Sequence, residues 1–135
     1  MSANKRKKCQ DPLVGFLFGI LVYFLKHDIK DVSWTKESEL VIMEYGEKKE
    51  VGGMNVIANG ECFIFISDVY MKRPRAAAST MVHELMHCLL AIGNDEKEEI
   101  FVRRFERLLW EDLSERQKLF FVHHLPPHDK YSIPE

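Results

Sequence analysis

The sequence predicts an α+β fold in a single domain, and three observations support this. An apolar helical segment comes first, a β-rich region with a hairpin follows, and three further helical segments complete the chain. The chain has 135 residues, of which 46% are apolar and 30% charged, as is typical of a globular domain with one modest core. We assign residues 1–10 to a basic disordered tail, 11–125 to the domain and 126–135 to a C-terminal tail.

The first predicted element is a helix over residues 12–27. Asp11 is suited to cap its N-terminus, and Pro12 fits the first helical position, which needs no backbone N–H. The thirteen apolar residues from Leu13 to Leu25 fall short of the about 20 that a transmembrane helix requires, and no small-residue cleavage site follows them. We therefore expect a buried helix in a cytoplasmic protein, with a membrane anchor through residues 12–25 as the alternative.

The β region predicts a strand at residues 39–45 and a hairpin at residues 50–67. Asn59 and Gly60 are the pair preferred in a tight type I′ turn, and apolar residues flank them on both sides. The second arm of the hairpin, from Phe63 to Ser67, is a continuous apolar run. It is therefore expected to be buried on at least one face.

Three helices are predicted in the second half of the chain. The first begins near Pro74 and ends before Gly93, a usual residue after a helix C-terminus. The second is EKEEIFVRRFERLLWEDL. Ser114 and Gln117 form a capping-box pattern for the third, ERQKLFFVHH, which ends before Pro126.

Charge and cysteine content narrow the partners that we expect. The net charge of −2 gives no argument for a nucleic-acid surface, so no nucleic-acid partner is expected. The three cysteines are widely spaced, and no two of them form a CxxC motif. This indicates free thiols in a reducing compartment. We interpret the one basic cluster as a solvated tail; it consists of Lys5, Arg6, Lys7 and Lys8.

The helix that starts near Pro74 carries the sequence HELMH. His83 and His87 lie one helical turn apart and therefore point the same way. Two imidazoles at this spacing can bind one zinc ion, and Glu84 is placed beside the metal, where it can take a proton from a bound water. This is the HExxH arrangement of zinc peptidases.

An accidental pair of histidines is the competing interpretation, because the chain contains six. The setting of the motif favours a metal site. The rest of the helix is apolar, and burying two imidazoles and a carboxylate without partners would be costly. A bound metal removes that cost, and we expect Zn²⁺ as the cofactor.

A third zinc ligand is expected from the helix that follows. The glycine and histidine that complete the metzincin motif HExxHxxGxxH are missing from their positions within residues 88–93. The third ligand is therefore expected to be a glutamate of the next helix, as in the gluzincins. The inward face of that helix is predicted to carry Phe101, Val102, Phe105 and Leu108. Glu98 shares this face, whereas Glu99 is shifted toward Arg103 and Glu106, which we take as the solvent side. We expect Glu98 as the ligand and keep Glu99 as the alternative; a negatively charged first helical turn would explain either residue without a metal.

Between about residues 39 and 113 the chain resembles the minigluzincins and the small HExxH metallopeptidases of phages and bacteria. The hairpin, HELMH and EEIFVRRFERLL carry the resemblance. It implies a thermolysin-like core in a zinc metalloendopeptidase that acts on peptides or proteins. His83 and His87 would be ligands, with Glu98 or Glu99 as the third, and Glu84 would be general base and acid. It also implies that a hairpin strand, by our expectation Phe63–Ser67, pairs with the substrate.

The resemblance also suggests that the C-terminal tail lies in the cleft and keeps the enzyme latent. A regulatory or interaction protein of phage or bacterial origin that binds zinc without turnover is the alternative function. Larger gluzincins hold the oxyanion with a histidine or tyrosine, and the candidates here are His123, His124, His128 and Tyr131.

Overall fold

The computed structural model describes residues 10–90 and 96–132, without the side chains of Glu44 and of residues 96–98. Its helices and strands are α1 (Pro12–His27), β1 (Ile29–Thr35), β2 (Val41–Glu44), β3 (Glu47–Glu50), β4 (Gly53–Ala58), β5 (Glu61–Ser67), α2 (Pro74–Leu90), α3 (Glu96–Asp112) and α4 (Glu115–His123). The predicted α+β class, with its N-terminal helix first, is confirmed. The predicted end of α2 at Gly93 lies outside the described residues.

Strand β5 is the centre of a three-stranded sheet. It pairs in parallel with β1 on one side and antiparallel with β4 on the other. Its apolar run is buried as predicted, because both neighbours and α2 cover it. The expectation that Phe63–Ser67 is the strand that pairs with a substrate is wrong, since both edges of β5 are already occupied. Strand β4 is the outer strand on that side.

Two tight turns form the hairpins of the fold. Asn59 and Gly60 have φ values of 54° and 79°, so the predicted type I′ conformation between β4 and β5 is confirmed. Tyr45 and Gly46 repeat these values and join β2 to β3 in a separate two-stranded sheet. We predicted the first of these strands but not its partner, because residues 47–50 are all charged and give no apolar alternation.

Helix α2 lies at the centre of the molecule and contacts α1, α3, α4, β4 and β5. Its side chains are buried around most of the helix, as shown by Ala77, Ala78, Met81, Val82, Leu85, Met86 and Cys88. A polar group on this helix therefore needs a partner from a neighbouring element.

Helix α1 has the predicted bounds and cap. The Asp11 carboxylate accepts a hydrogen bond from the backbone N–H of Leu13 at 2.9 Å. Leu21 and Leu25 are buried against the core, but Phe16 and Tyr23 are exposed, so the expectation of a buried helix is wrong for the outer face of α1. No helix within residues 10–90 and 96–132 is both long enough and apolar enough to cross a bilayer.

Helix α3 presents only part of the predicted face to the core. Val102 is buried and Phe105 packs partly buried against the core, as predicted. Phe101 and Leu108 are 54% and 62% exposed, so the predicted inward face is wrong for these two residues, and Leu109 is buried instead. The helix is thus rolled so that carboxylates also face α2.

The described part of the C-terminal tail covers the outer edge of β1. The backbone of Trp34 donates to the carbonyl of Lys130 and accepts from the N–H of Ser132, both at 2.9 Å. The indole N–H of Trp34 donates to the carbonyl of Pro126 at 3.0 Å. Residues 126–132 therefore lie at the edge of the sheet opposite β4, and the expectation of a tail in the cleft is wrong for them. Residues 133–135 lie outside the described residues.

Two of the three cysteines, Cys62 and Cys88, are described; both are free, as predicted, and both are buried. Burial, together with the neighbouring thiol of Cys62, raises the pKa of Cys88. The Cys88 thiol therefore stays protonated at neutral pH. Cys9 lies outside the described residues.

Removal of residues 126–135 should destabilise the domain. Trp34 is almost fully buried, and its backbone and indole N–H groups would lose their acceptors, at about 1–3 kcal/mol for each buried group left without a partner. We expect a lower urea midpoint for a chain that ends at Leu125. A chain that ends at Ser132 is the control and should keep the wild-type midpoint. Equal midpoints for all three proteins would contradict the structural role of the tail.

Candidate metal centre

Helix α2 places His83 and His87 side by side on the face that it turns toward α3. Their ring centroids are 5.0 Å apart, and the ring planes meet at 62°. His87 is buried and His83 half-buried. The one-turn spacing read from the sequence therefore yields two imidazoles whose Nε2 atoms reach toward the same carboxylate of α3.

That carboxylate belongs to Glu99. Its Oε1 atom lies 2.7 Å from Nε2 of His87 and 3.3 Å from Nε2 of His83. Arg103 donates from Nε to the other carboxylate oxygen at 2.8 Å. The ligand atoms of the three residues all lie within 4.8 Å of one another. Two ligands of one tetrahedral metal ion are about 3.3 Å apart, so His83, His87 and Glu99 lie close enough to hold a metal ion.

The side chain of Glu98, our expected third ligand, lies outside the described residues, so its role stays a prediction. Glu99, the alternative, is the glutamate that the described residues bring to the histidines. The argument that placed Glu99 and Glu106 on the solvent side is wrong, because α3 turns both of them toward α2.

Glu84 lies beside this group and points toward strand β4. Its side chain accepts a hydrogen bond from Nδ2 of Asn55 at 3.3 Å. Gly53 makes this approach of strand and helix feasible: a Cβ atom there would lie 2.7 Å from the methyl group of Thr80 and 3.2 Å from a carboxylate oxygen of Glu84. We did not single out Asn55 and Gly53 from the sequence. The available signal was the polar side chain of Asn55 between two apolar residues of a predicted strand.

Glu106 is a second carboxylate behind the histidines. Its Oε1 atom lies 3.4 Å from Nδ1 of His83, and Ser79 donates from its hydroxyl group to the other oxygen at 2.5 Å. A carboxylate at Nδ1 favours the tautomer whose Nε2 is free to bind a metal. We did not predict this role for Glu106, although its spacing of seven residues from Glu99 places both on one face of a helix.

Burial and neighbouring charges shift the proton affinities in the cluster. Burial raises the pKa of Glu84 to about 7, although the nearby His83 and His87 act to lower it. For His83, burial acts to lower the pKa, but the hydrogen bond to Glu106 and the surrounding carboxylates outweigh it and raise the pKa. For Glu99, burial acts to raise the pKa, but the hydrogen bond from His87 and the charge of His83 lower it overall. Glu84 is thus the carboxylate able to exchange a proton near neutral pH.

The cluster opens into a cleft of about 810 Å³ between the two sheets and helices α2 and α3. Ile42 and Tyr45 of the β2–β3 hairpin line one side, and Met54 and Asn55 of the outer strand β4 line another. His83, His87, Glu99 and Glu84 also line it. An extended chain entering the cleft would therefore meet β4 and these four side chains together.

The predicted oxyanion residues lie elsewhere. His124 contacts the carbonyl of Phe120 at 2.9 Å, and the hydroxyl group of Tyr131 donates to Asp68 at 3.0 Å. His128 lies against Trp34 at the edge of β1. None of these residues, nor His123, lines the cleft, so the expectation is wrong for all four as they are placed here.

Comparisons of the chain with protein-family models, curated proteins and solved structures find no match. The chemistry of the centre is therefore inferred from its own residues.

Exchange of Glu99 for Gln should weaken metal binding strongly, because it removes the charged oxygen nearest both imidazoles. Loss of a group that only contacts a ligand costs about 10–100-fold in metal affinity, and we expect a larger loss here. The matched control is Glu98→Gln, one residue away in the same helical turn. Zinc titration with a chromophoric chelator measures both variants. Retention of affinity in Glu99→Gln with loss in Glu98→Gln would instead identify Glu98 as the ligand.

Exchange of Glu106 for Gln should lower metal affinity about 10–100-fold, since the group that orients His83 through Nδ1 becomes neutral. The fold should persist, because the amide has the same shape and still accepts from Ser79. Glu111→Gln, at an exposed position on the same helix, serves as the control. Equal affinities of the two variants would contradict an orienting role for Glu106.

Proposed function

We propose that the protein is a zinc-dependent metallopeptidase that hydrolyses peptide bonds in extended chains. The single observation that carries the proposal is the position of Glu84, a buried carboxylate of raised pKa beside a group of two histidines and a glutamate that line an open cleft. The resemblance of HELMH and the glutamate helix to the minigluzincins points the same way.

The donor set supports zinc as the metal. Two imidazoles and one carboxylate are a common catalytic set for zinc and leave a fourth position open. When bound there, zinc would supply a Lewis acid that activates water and polarises a carbonyl group. His83, His87 and a glutamate of α3 would hold it, with Glu106 orienting His83.

Glu84 would act as the general base and then as the general acid. Its carboxylate accepts the proton of the attacking water while the water oxygen bonds to the peptide carbonyl carbon. It then returns this proton to the leaving nitrogen as the C–N bond breaks. The pKa of Glu84 is raised to about 7 in the metal-free protein, and the charge of a bound cation would lower it, so the carboxylate would be ionised and ready to accept the proton of the water. The hydrogen bond from Asn55 would keep the carboxylate directed at the reaction site.

The outer edge of β4 would bind the substrate backbone. An extended peptide can add to the edge of a sheet through main-chain hydrogen bonds, which accept many sequences. β4 is the outer strand next to the centre, and the close approach at Gly53 brings it against Glu84. Ile42 and Tyr45 across the cleft would contact substrate side chains. This proposal replaces our expectation that β5 pairs with the substrate.

Exchange of Glu84 for Gln tests the proposal. We expect a fall in the cleavage rate of an unfolded protein such as casein by about 10²–10⁴-fold, because the amide cannot accept the proton. Zinc content should stay at the wild-type level, since Glu84 is outside the ligand group. Glu111→Gln is the matched control and should keep the full rate. Zinc-loaded wild type without cleavage activity would favour a binding protein that does not turn over.

A further inference from the structure

We propose that the outer face of α1, formed by Leu13, Phe16, Ile20 and Tyr23, binds to the surface of membranes that contain anionic lipids. The inference does not depend on the metal centre or on the proposed hydrolysis. It rests on an apolar face turned away from the core, a groove beside it, and the distribution of charge along the N-terminal segment.

Helix α1 is apolar on both faces, but the core uses only one. Leu21 and Leu25 are buried, whereas Leu13, Phe16 and Tyr23 are 57%, 64% and 62% exposed. Together with the half-buried Ile20, these side chains recur at three- and four-residue spacing and form one stripe along the helix. Large apolar side chains that are aligned in this way, rather than scattered, indicate an interaction surface.

A shallow apolar groove of about 460 Å³ runs beside the stripe. Gly15, Gly19, Ile20 and Phe24 of α1 line it together with Leu89 of α2. A Cβ atom added at Gly19 would meet no heavy atom within 4 Å, so this glycine leaves open space at the surface. The groove is therefore able to accept an aliphatic chain against the helix.

The charges around α1 favour an anionic surface as the occupant. Lys5, Arg6, Lys7 and Lys8 directly precede the described residues, and Lys26 and His27 form the last turn of the helix. Asp11 and Asp28 flank α1, and Asp112 lies near its N-terminus, where Gln10 donates to the Asp112 carbonyl; α1 itself contains no acidic residue. Each basic residue near an anionic leaflet contributes about 1 kcal/mol, or about fivefold in partition. A second copy of the chain would carry the same cationic segment and would be repelled.

The length of α1 sets the mode of binding. Sixteen residues span about 24 Å, less than the about 30 Å hydrocarbon thickness of a bilayer. With Leu21 and Leu25 committed to the core, the helix would lie along the interface with only its outer stripe among the lipids. Phe16 and Tyr23 suit this depth, where aromatic side chains are enriched.

Vesicle co-sedimentation of the full chain tests the proposal. We expect binding to vesicles of phosphatidylcholine and phosphatidylglycerol at 7:3, little binding to phosphatidylcholine alone, and weaker binding as salt is raised. The double variant Phe16→Ser, Tyr23→Ser should lose at least tenfold in partition. Leu108→Ser, at an equally exposed apolar position on α3, is the matched control and should bind like the wild type.

A second variant, in which residues 5–8 are changed to Gln, should lose about 600-fold in partition to anionic vesicles, at about fivefold for each of the four basic residues. Circular dichroism and thermal melting of all variants establish that they are folded. Unchanged binding by the Phe16, Tyr23 variant would overturn the proposal. Absence of binding by the wild type would overturn it as well, and a doubled mass in light scattering that this variant abolishes would then show that the face binds a second copy.

Discussion

The contact between the histidines of α2 and the carboxylates of α3 is the constraint on which the rest of the structure depends. Helix α2 is surrounded by other elements, so its polar side chains cannot be left to solvent. Glu99 meets the Nε2 atoms of both histidines, and Glu106 meets Nδ1 of His83. These contacts fix the rotation of α3 about its axis, and this rotation places Val102 and Leu109 in the core. One set of contacts thus determines both the packing of the two helices and the geometry of the candidate centre.

The local features of the fold could be predicted because each depends on neighbours in the sequence. The Asp11 cap, the Asn59–Gly60 turn and the Ser114 capping box are found where the sequence predicts them. The spacing of His83 and His87 likewise determines their common direction, because a helix repeats every 3.6 residues. These signals need no knowledge of distant parts of the chain.

The errors arose where distant segments decide the outcome. Neighbouring residues such as Glu98 and Glu99 differ in direction by about 100° around a helix, so the rotation of α3 decides which of them faces α2. Apolar periodicity misjudged this rotation for Phe101 and Leu108, which are exposed. β1 is held by β5 and by the C-terminal tail, which joins Trp34 to residues almost a hundred positions later. Glu106, which contacts His83, and Asn55, which contacts Glu84, could not be found without this packing, since their roles depend on what lies opposite them.

The pairing of residues 126–132 with β1 gives the sheet an asymmetry. An exposed strand edge attracts any other extended chain, including those of neighbouring molecules, and proteins protect such edges. Here residues 126–132 contact one border of the sheet at Trp34, while the other border, at β4, stays accessible beside the ionisable cluster. In the part of the chain that the structure describes, a guest strand that joins the three-stranded sheet is therefore directed to the side of β4, where the acidic and imidazole groups are gathered.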